Sequence, residues 1–180
     1  MLERHVTLRD GEKVLLRPLT VADAALYPDF LHDVTRDDLR LRFFAAMNEV
    51  SPELIDKLIH YDPQMAMAFI AIAEKTGRML GVVRLHDDNG GQEGKKAGEF
   101  AILLRSHLKG HGLGWLMMQH MIANAKAKGL KAVRGQVLAD NTTMLKMCGE
   151  LGFHSTNDPD EPGVMTVELL LDGVPAEAIA

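Results

Sequence analysis

Cysteine, long apolar runs and excess positive charge are all scarce in this chain of 180 residues. Cys148 is the only cysteine, so no disulfide can form within the chain, and a reducing compartment such as the cytoplasm is the expected location. No stretch of about 18 apolar residues is present, so the sequence predicts no membrane-spanning helix. The charged N-terminus lacks the apolar run of a secretory signal. With 20 basic and 25 acidic residues the formal net charge is −5, which argues against a nucleic-acid partner.

Metal-ligand patterns are missing as well. The eight histidines include no His-Glu-x-x-His, and Cys-x-x-Cys cannot occur with one cysteine, so the sequence predicts no metal site. What is present is an ordinary globular composition, 47% hydrophobic, without an internal repeat or a linker. The length suits a single domain over residues 1–180, with a loose tail at 172–180.

Strand-like and helix-like segments interleave along the chain. Apolar runs and two-residue alternation predict strands, and helical spacing behind capping residues predicts helices. The predicted strands cover 6–18, 65–74, 79–85, 99–105, 131–138 and 164–171. The predicted helices cover 20–34 with a break at Pro28, 51–60, 113–128 and 141–151, and 87–96 is a polar loop. This order predicts an α/β fold in which a mixed sheet, with an antiparallel hairpin at 65–85, carries helices on both faces.

The most informative stretch is a strand followed by a glycine-rich turn and a helix. Glu99–Arg105 is the strand, and Gly110, Gly112 and Gly114 lead into the helix. Glycine lets the backbone come close to a ligand, and the free N–H groups of a first helical turn attract negative charge. The pattern is typical of a pyrophosphate site, although glycines here could also merely turn the chain.

The spacing of these glycines distinguishes the families that use such a turn. A Walker loop consists of a glycine, four further residues and then Gly-Lys-Ser/Thr, and this pattern is absent. A dinucleotide fingerprint needs G-x-G-x-x-G, which is absent as well. Lys109-Gly-His-Gly-Leu-Gly114 instead resembles the Arg/Gln-x-x-Gly-x-Gly/Ala loop of the GNAT acetyltransferases, which cradles the pyrophosphate of acetyl-CoA. Lys109 departs from the usual Arg or Gln but keeps a positive charge.

A second motif supports this resemblance. The stretch from Asp140-Asn141 to Gly152-Phe153 resembles the late GNAT segment, and the two motifs occur in the order of the family. A narrower likeness, to the GNAT domain of the bacterial protein lysine acetyltransferases, is carried by Leu41-Arg-Phe-Phe44, Tyr61-Asp62 and Gly98-Glu-Phe-Ala101. The resemblance covers about residues 13–171, which is most of the chain.

The resemblance implies the GNAT fold, with a central, mixed and mostly antiparallel sheet, and acetyl-CoA as co-substrate. It also implies that the pantetheine arm pairs with the strand backbone at Ile102–Leu104, as an added strand would. The residues implied in cofactor binding are Ile102, Leu103, Leu104, Lys109, Gly110, His111, Gly112, Leu113, Gly114 and Asn141. Some of them have plainer alternatives, because the strand residues could be core, His111 a solvent-facing loop residue and Asn141 only a helix cap.

Acetyl transfer to an amine needs a proton acceptor, because a lysine amine with a pKa near 10.4 is protonated at neutral pH. Glu99 stands at the start of an apolar strand, where part burial is expected, and the resemblance implies that it is the general base for a direct attack. The alternative is a surface glutamate. Cys148 occupies the position of the tyrosine that often protonates the leaving thiolate, and the expected role of this cysteine is that of a small buried residue.

The sequence therefore predicts an acetyl-CoA-dependent N-acetyltransferase whose acceptor is a protein lysine or a small amine. We expect residues 20–61 and the last strands to surround the binding site of the acceptor. Phe43 and Phe44 in this region either line the cleft or belong to the core. The glycine spacing and the chain length argue against the alternative of a nucleotide-binding oxidoreductase. A non-catalytic acyl-CoA-binding sensor would keep the glycine loop and dispense with Glu99. The sequence leaves open whether the chain forms a homodimer.

Overall fold

A computed structural model describes residues 2–88 and 96–171 of the chain. Residues 89–95 of the predicted polar loop and the whole predicted tail, 172–180, lie outside the described residues. The strands are β1 (Arg4–Thr7), β2 (Lys13–Pro18), β3 (Ala66–Ala73), β4 (Met79–Asp87), β5 (Ala97–Leu104), β6 (Ala132–Leu138), β7 (His154–Asn157) and β8 (Val164–Leu170). They form one eight-stranded sheet in the order β1-β2-β3-β4-β5-β6-β8-β7.

Helices cover both faces of this sheet, as the sequence predicts. The α-helices of the described part are α1 (Tyr27–His32), α2 (Arg36–Phe43), α3 (Pro52–Ile59), α4 (Leu113–Ala127) and α5 (Thr142–Glu150), and short 3-10 turns cover Val21–Leu26 and Ser106–Leu108. One apolar core lies between the sheet and α4 with α5, and a second lies under α1, α2 and α3. The mixed α/β architecture is therefore confirmed.

Capping residues set several helix starts. The Ser51 hydroxyl accepts a hydrogen bond from the backbone N–H of Leu54 at 3.1 Å, and Pro52 occupies the first turn, as predicted. Within the predicted helix over 20–34 a 3-10 turn ends at Leu26 and α1 begins at Tyr27, so Pro28 occupies the first turn of α1. Such caps satisfy N–H groups that have no acceptor inside the helix.

Three elements differ from the sequence-based expectation. The segment 6–18, predicted as a first strand whose clear part follows an Asp10-Gly11 turn, forms two strands, because Gly11 (φ +89°) turns the chain between β1 and β2, which pair antiparallel. Neither α2 nor β7 is predicted by the sequence. All four residues of β7 are exposed, so it carries none of the apolar alternation on which a strand prediction depends.

The strands β5 and β6 make the parallel contact of this otherwise antiparallel sheet. Their pairing begins at Ala97 with Ala132 and ends at Glu99 with Arg134. Beyond that point β5 continues to Leu104 and β6 to Leu138 without pairing to each other. The sheet therefore opens at Glu99, and the gap exposes backbone N–H and C=O groups on both strands.

Candidate active site

A cavity of about 670 Å³ occupies the gap between β5 and β6. Its floor is the β5 segment Phe100–Leu104, and Gln136 and Val137 of β6 face that segment. Residues of α2 and of α5 form the remaining walls. An extended ligand could therefore pair with the unpaired edge of β5 while its two ends reach different groups.

The glycine turn closes one end of this cavity. Gly110 (φ +83°) and Gly112 (φ +88°) have left-handed backbone conformations, and Gly112 is the N-cap of α4. Gly114 has an ordinary backbone conformation, and a Cβ there would make ordinary contacts with Leu104 Cδ1 at 3.4 Å and Met147 Sδ at 3.5 Å. All three glycines line the cavity, beside the first-turn N–H groups of α4 that have no acceptor within the helix.

Gly112→Ala is expected to weaken acetyl-CoA binding by about tenfold, because a Cβ in the left-handed conformation costs about 1–2 kcal/mol and the turn must shift to relieve it. Isothermal calorimetry measures the dissociation constant. Gly149→Ala is the matched control, since Gly149 is an exposed helical glycine with ordinary φ and open space around its Cβ position. Equal affinity in Gly112→Ala and the control would contradict the role given to this turn.

Basic side chains gather at the glycine end. Arg9, Lys109 and Lys146 line the cavity there, and Arg9 Nε lies 3.8 Å from the Cβ position of Gly112. The Lys109 ammonium pairs with the buried carboxylate of Asp38, reaching from the turn to α2. Sequence reasoning missed Arg9, because it lies in the β1–β2 turn, more than 100 residues from the glycines in sequence. Positive charge and free N–H groups together suit a pyrophosphate.

Glu99 lies where β5 and β6 part, and it lines the same cavity. Its side chain is exposed, so the part burial expected from the sequence is not observed. Its neighbours across the sheet are His86 on β4 and Arg134 on β6, and Arg134 is bound to Glu168 at 2.6 Å. Within the described ranges Glu99 makes no hydrogen bond or ion pair, which leaves its carboxylate available to a ligand.

The cavity brings together most of the residues that the sequence assigns to the cofactor. Those lining it are Ile102, Leu103, Leu104, Lys109, Gly110, Gly112, Gly114 and Asn141. His111 is exposed and Leu113 is fully buried in the core, and neither side chain lines the cavity. Asn141 Oδ1 accepts the N–H of Met144 at 3.3 Å, so this residue caps α5 and also faces the cavity.

The opposite end of the cavity is walled by the C-terminal half of α2. Leu41, Arg42, Phe43 and Phe44 line it, so both phenylalanines contribute to the cleft, and Phe43 also packs against the core under α1–α3. Phe44 ends the helix with φ +59°, an uncommon conformation for a large residue. The sequence assigns Arg42 no role, because an arginine in a segment of mixed charge usually faces solvent.

Cys148 lies outside this cavity. It is fully buried in the core beneath α5, and burial raises the pKa of its thiol to about 12. A thiol in that state neither attacks a thioester nor readily supplies a proton. The expected role as a small buried residue fits this position.

Replacing Cys148 by alanine is expected to leave turnover within about twofold of the wild type and to cost about 1 kcal/mol of stability or less, because only one sulfur is lost. Steady-state thiol release and thermal unfolding measure the two effects. Modification by a thiol reagent should also be slow in the folded protein. A large loss of turnover with an unchanged melting temperature would assign the thiol a chemical role.

The described residues contain no group of three or more His, Cys, Asp or Glu side chains that could hold a metal ion. None of the helices described is both long enough and apolar enough to cross a membrane.

A sheet that opens beside a glycine turn and a helix N-terminus defines a protein that handles an acyl-CoA. The sequence profile of the Acetyltransferase (GNAT) domain matches residues 13–154. An acetyltransferase of Pseudomonas aeruginosa is 32% identical over 157 residues, covering 86% of this chain and 82% of that protein.

Solved structures agree with this similarity. The GNAT domain of Streptomyces lividans PAT superposes with a TM-score of 0.86 at 26% identity, covering 94% of this chain and 97% of that one. Spermidine N-acetyltransferase from Vibrio cholerae, solved with CoA and spermine, superposes with a TM-score of 0.67 at 17% identity, covering 87% and 95%. The chain belongs to the GNAT family, and it is an acetyl-CoA-dependent N-acetyltransferase.

Proposed function

We propose that this acetyltransferase acetylates the side-chain amine of a protein lysine, with Glu99 as general base. The observation that carries the proposal is the unpaired Glu99 carboxylate at the point where β5 and β6 separate. Acetyl-CoA supplies the acetyl thioester, and Lys109, Arg9 and the glycine turn would hold its pyrophosphate. The backbone of Ile102–Leu104 would pair with its pantetheine arm.

Glu99 would take the proton that the attacking amine must lose. The lysine nitrogen then forms a bond to the thioester carbon, the carbon–sulfur bond breaks, and the CoA thiolate leaves. General-base catalysis of this kind contributes about 10²–10⁴ to a rate. Asp38 is a poorer candidate for the base, because Lys109 and Ser106 already occupy its oxygens.

A direct attack is favoured over a route through an acetyl-cysteine. The chain has one cysteine, and Cys148 is buried in the core away from the cavity. The same lone, buried thiol suits a reducing compartment, which supports a cytoplasmic location.

A lysine on a protein suits the acceptor side because that side is open. Glu99 is exposed, and Phe44 on the facing wall is 36% exposed. A base that solvent can reach is also reachable by a long side chain carried on a macromolecule. The resemblance of Leu41–Phe44, Tyr61-Asp62 and Gly98–Ala101 to the GNAT domain of the bacterial protein lysine acetyltransferases adds to this argument.

The experiment has two stages. Calorimetry measures acetyl-CoA binding, and thiol release is then followed with lysine peptides, folded proteins and small amines, including spermidine, as acceptors. Transfer to lysine peptides or proteins in preference to free amines is the expected result. Preference for a small amine would overturn the lysine assignment, and binding without thiol release on any acceptor would favour a sensor.

A further inference from the structure

Arg42 lies at the acceptor end of the cavity without a charged partner. It is half-buried, and its guanidinium lies 4.6 Å from the centroid of the Phe43 ring. Across residues 2–88 and 96–171 it makes no hydrogen bond or ion pair. A guanidinium has five N–H donors, and a charge withdrawn from water is costly unless it is paired. A ligand that supplies acceptors would complete this arrangement.

Two further groups converge on the same place. Arg42, Phe43, Ala101 and Leu103 also line a small void of about 10 Å³, which adjoins the cavity and is shared with Arg84 and Tyr27. Arg84 directs one nitrogen to the Leu58 carbonyl oxygen at 3.0 Å. Tyr27 is 1% exposed, and its hydroxyl lies close to Arg84 without a hydrogen bond of good geometry in the described part of the chain.

The charge balance at this end is positive. Burial and the nearby Arg84 lower the pKa of Arg42 to about 10, so Arg42 remains charged at neutral pH. Asp38, one turn before Arg42 on the same face of α2, is already paired with Lys109. Glu99 faces the same cavity and is near enough to oppose this lowering of the Arg42 pKa, but the two side chains form no ion pair. At this end of the cavity the Glu99 carboxylate therefore faces Arg42, and Arg84 lines only the adjoining void.

We propose that Arg42, supported by Arg84 and Tyr27, is a binding subsite for a carboxylate that the acceptor carries next to its reacting amine. The inference rests on the proposed function, because it takes Glu99 as the base that marks where the amine lies. On a protein acceptor, the subsite would bind the acidic side chain of a residue that neighbours the reacting lysine. A planar guanidinium suits a carboxylate because two N–H groups can donate to its two oxygens. A polyamine brings only further positive charge and would be repelled.

The test compares short lysine peptides that differ only in having Glu or Gln beside the lysine. The wild type is expected to favour the Glu peptide by about tenfold or more in kcat/KM, as a charge-assisted hydrogen bond would give. Arg42→Gln should reduce this ratio to near one, and Arg42→Lys should restore part of it, since lysine keeps the charge without the planar fork. Arg36→Gln, on an exposed residue of the same helix, is the matched control and should keep the ratio.

Three outcomes would overturn the subsite. The first is equal use of both peptides by the wild type, and the second is a Glu preference that survives in Arg42→Gln. The third is a preference of the wild type for succinyl-CoA over acetyl-CoA that is lost in Arg42→Gln, while the Glu-to-Gln peptide ratio stays unchanged. This result would show that Arg42 binds the acyl group of the donor. If the enzyme acetylates the Glu and Gln peptides equally well, only the subsite is overturned. If it acetylates no peptide, the proposed function is overturned as well. Thermal unfolding shows whether each variant is folded.

Discussion

Glu99→Gln is expected to bind acetyl-CoA as the wild type does and to lose turnover by about 10²–10⁴. Glutamine keeps the size of the side chain and can still hydrogen bond, but its amide cannot take a proton from an ammonium group. Calorimetry gives the affinity, and thiol release with the best acceptor gives kcat and kcat/KM. Since Glu99 lies at the mouth of the cavity rather than in the glycine turn, the two measurements should separate cleanly.

The pH dependence sharpens this test. In the wild type a general base should keep the rate high at pH values where the acceptor amine is still mostly protonated. In Glu99→Gln the amine must lose its proton before it reacts, so the residual activity should grow toward high pH. Glu53→Gln, on an exposed carboxylate of α3 that does not line the cavity, is a matched control for charge. Full turnover in Glu99→Gln with an unchanged pH profile would remove this residue from the mechanism.

Arg105→Met is expected to destabilise the fold by on the order of 3 kcal/mol, which lowers Tm by about 6–12 °C in a chain of this size. The Arg105 side chain is 1% exposed, and its Nε donates to the Met79 carbonyl oxygen at 2.7 Å. It also binds the carboxylates of Asp29 and Asp33 at 2.6 Å each. Those carboxylates are partly exposed and can be solvated after the change, which keeps the cost below that of a fully buried pair.

Acid sensitivity is the second readout of the Arg105 variant. Arg78, followed by Arg105, lowers the pKa of Asp29, and Arg105 lowers the pKa of Asp33. Carboxyls whose pKa falls on folding stabilise the protein above their unfolded pKa, and this contribution is lost as pH falls through the folded pKa. Stability of the wild type should therefore decline below about pH 4, and Arg105→Met should show a shallower decline.

Arg78→Met is the control for this network. Arg78 contacts the same two carboxylates, but its side chain is 49% exposed, so the expected loss of Tm is much smaller. Thermal unfolding at several pH values measures both variants. Equal losses from Arg105→Met and Arg78→Met would show that burial of Arg105 contributes little.

The sequence allows the glycine turn to be predicted because its signal is local. Gly110 and Gly112 adopt positive φ, a strand precedes them and an apolar helix follows, all within a short segment. Glu99 was assigned through the family resemblance, and the structure places it beside the gap in the sheet. That gap could not be read from the residues, because it arises where β5 and β6, which are distant in sequence, cease to pair.

The missed features depend on tertiary contacts. The helix α2 starts at the Thr35 cap and has charged residues over most of its length, so nothing in its pattern shows which side is buried. Arg42 faces the cavity only because α2 packs across β5. Similarly, β7 is a strand because it pairs with β8, although its own residues are all exposed.

The separation of β5 and β6 also affects how the protein survives in a cell. Unpaired strand edges can template the addition of another extended segment, and here two such edges face each other inside a sheet. A ligand that fills the gap stabilises the chain by mass action, by about 2.7 kcal/mol at a concentration of 100 times Kd. Resistance to aggregation and to proteolysis should therefore follow the supply of coenzyme. A cell starved of acetyl-CoA would lose the enzyme itself along with its substrate.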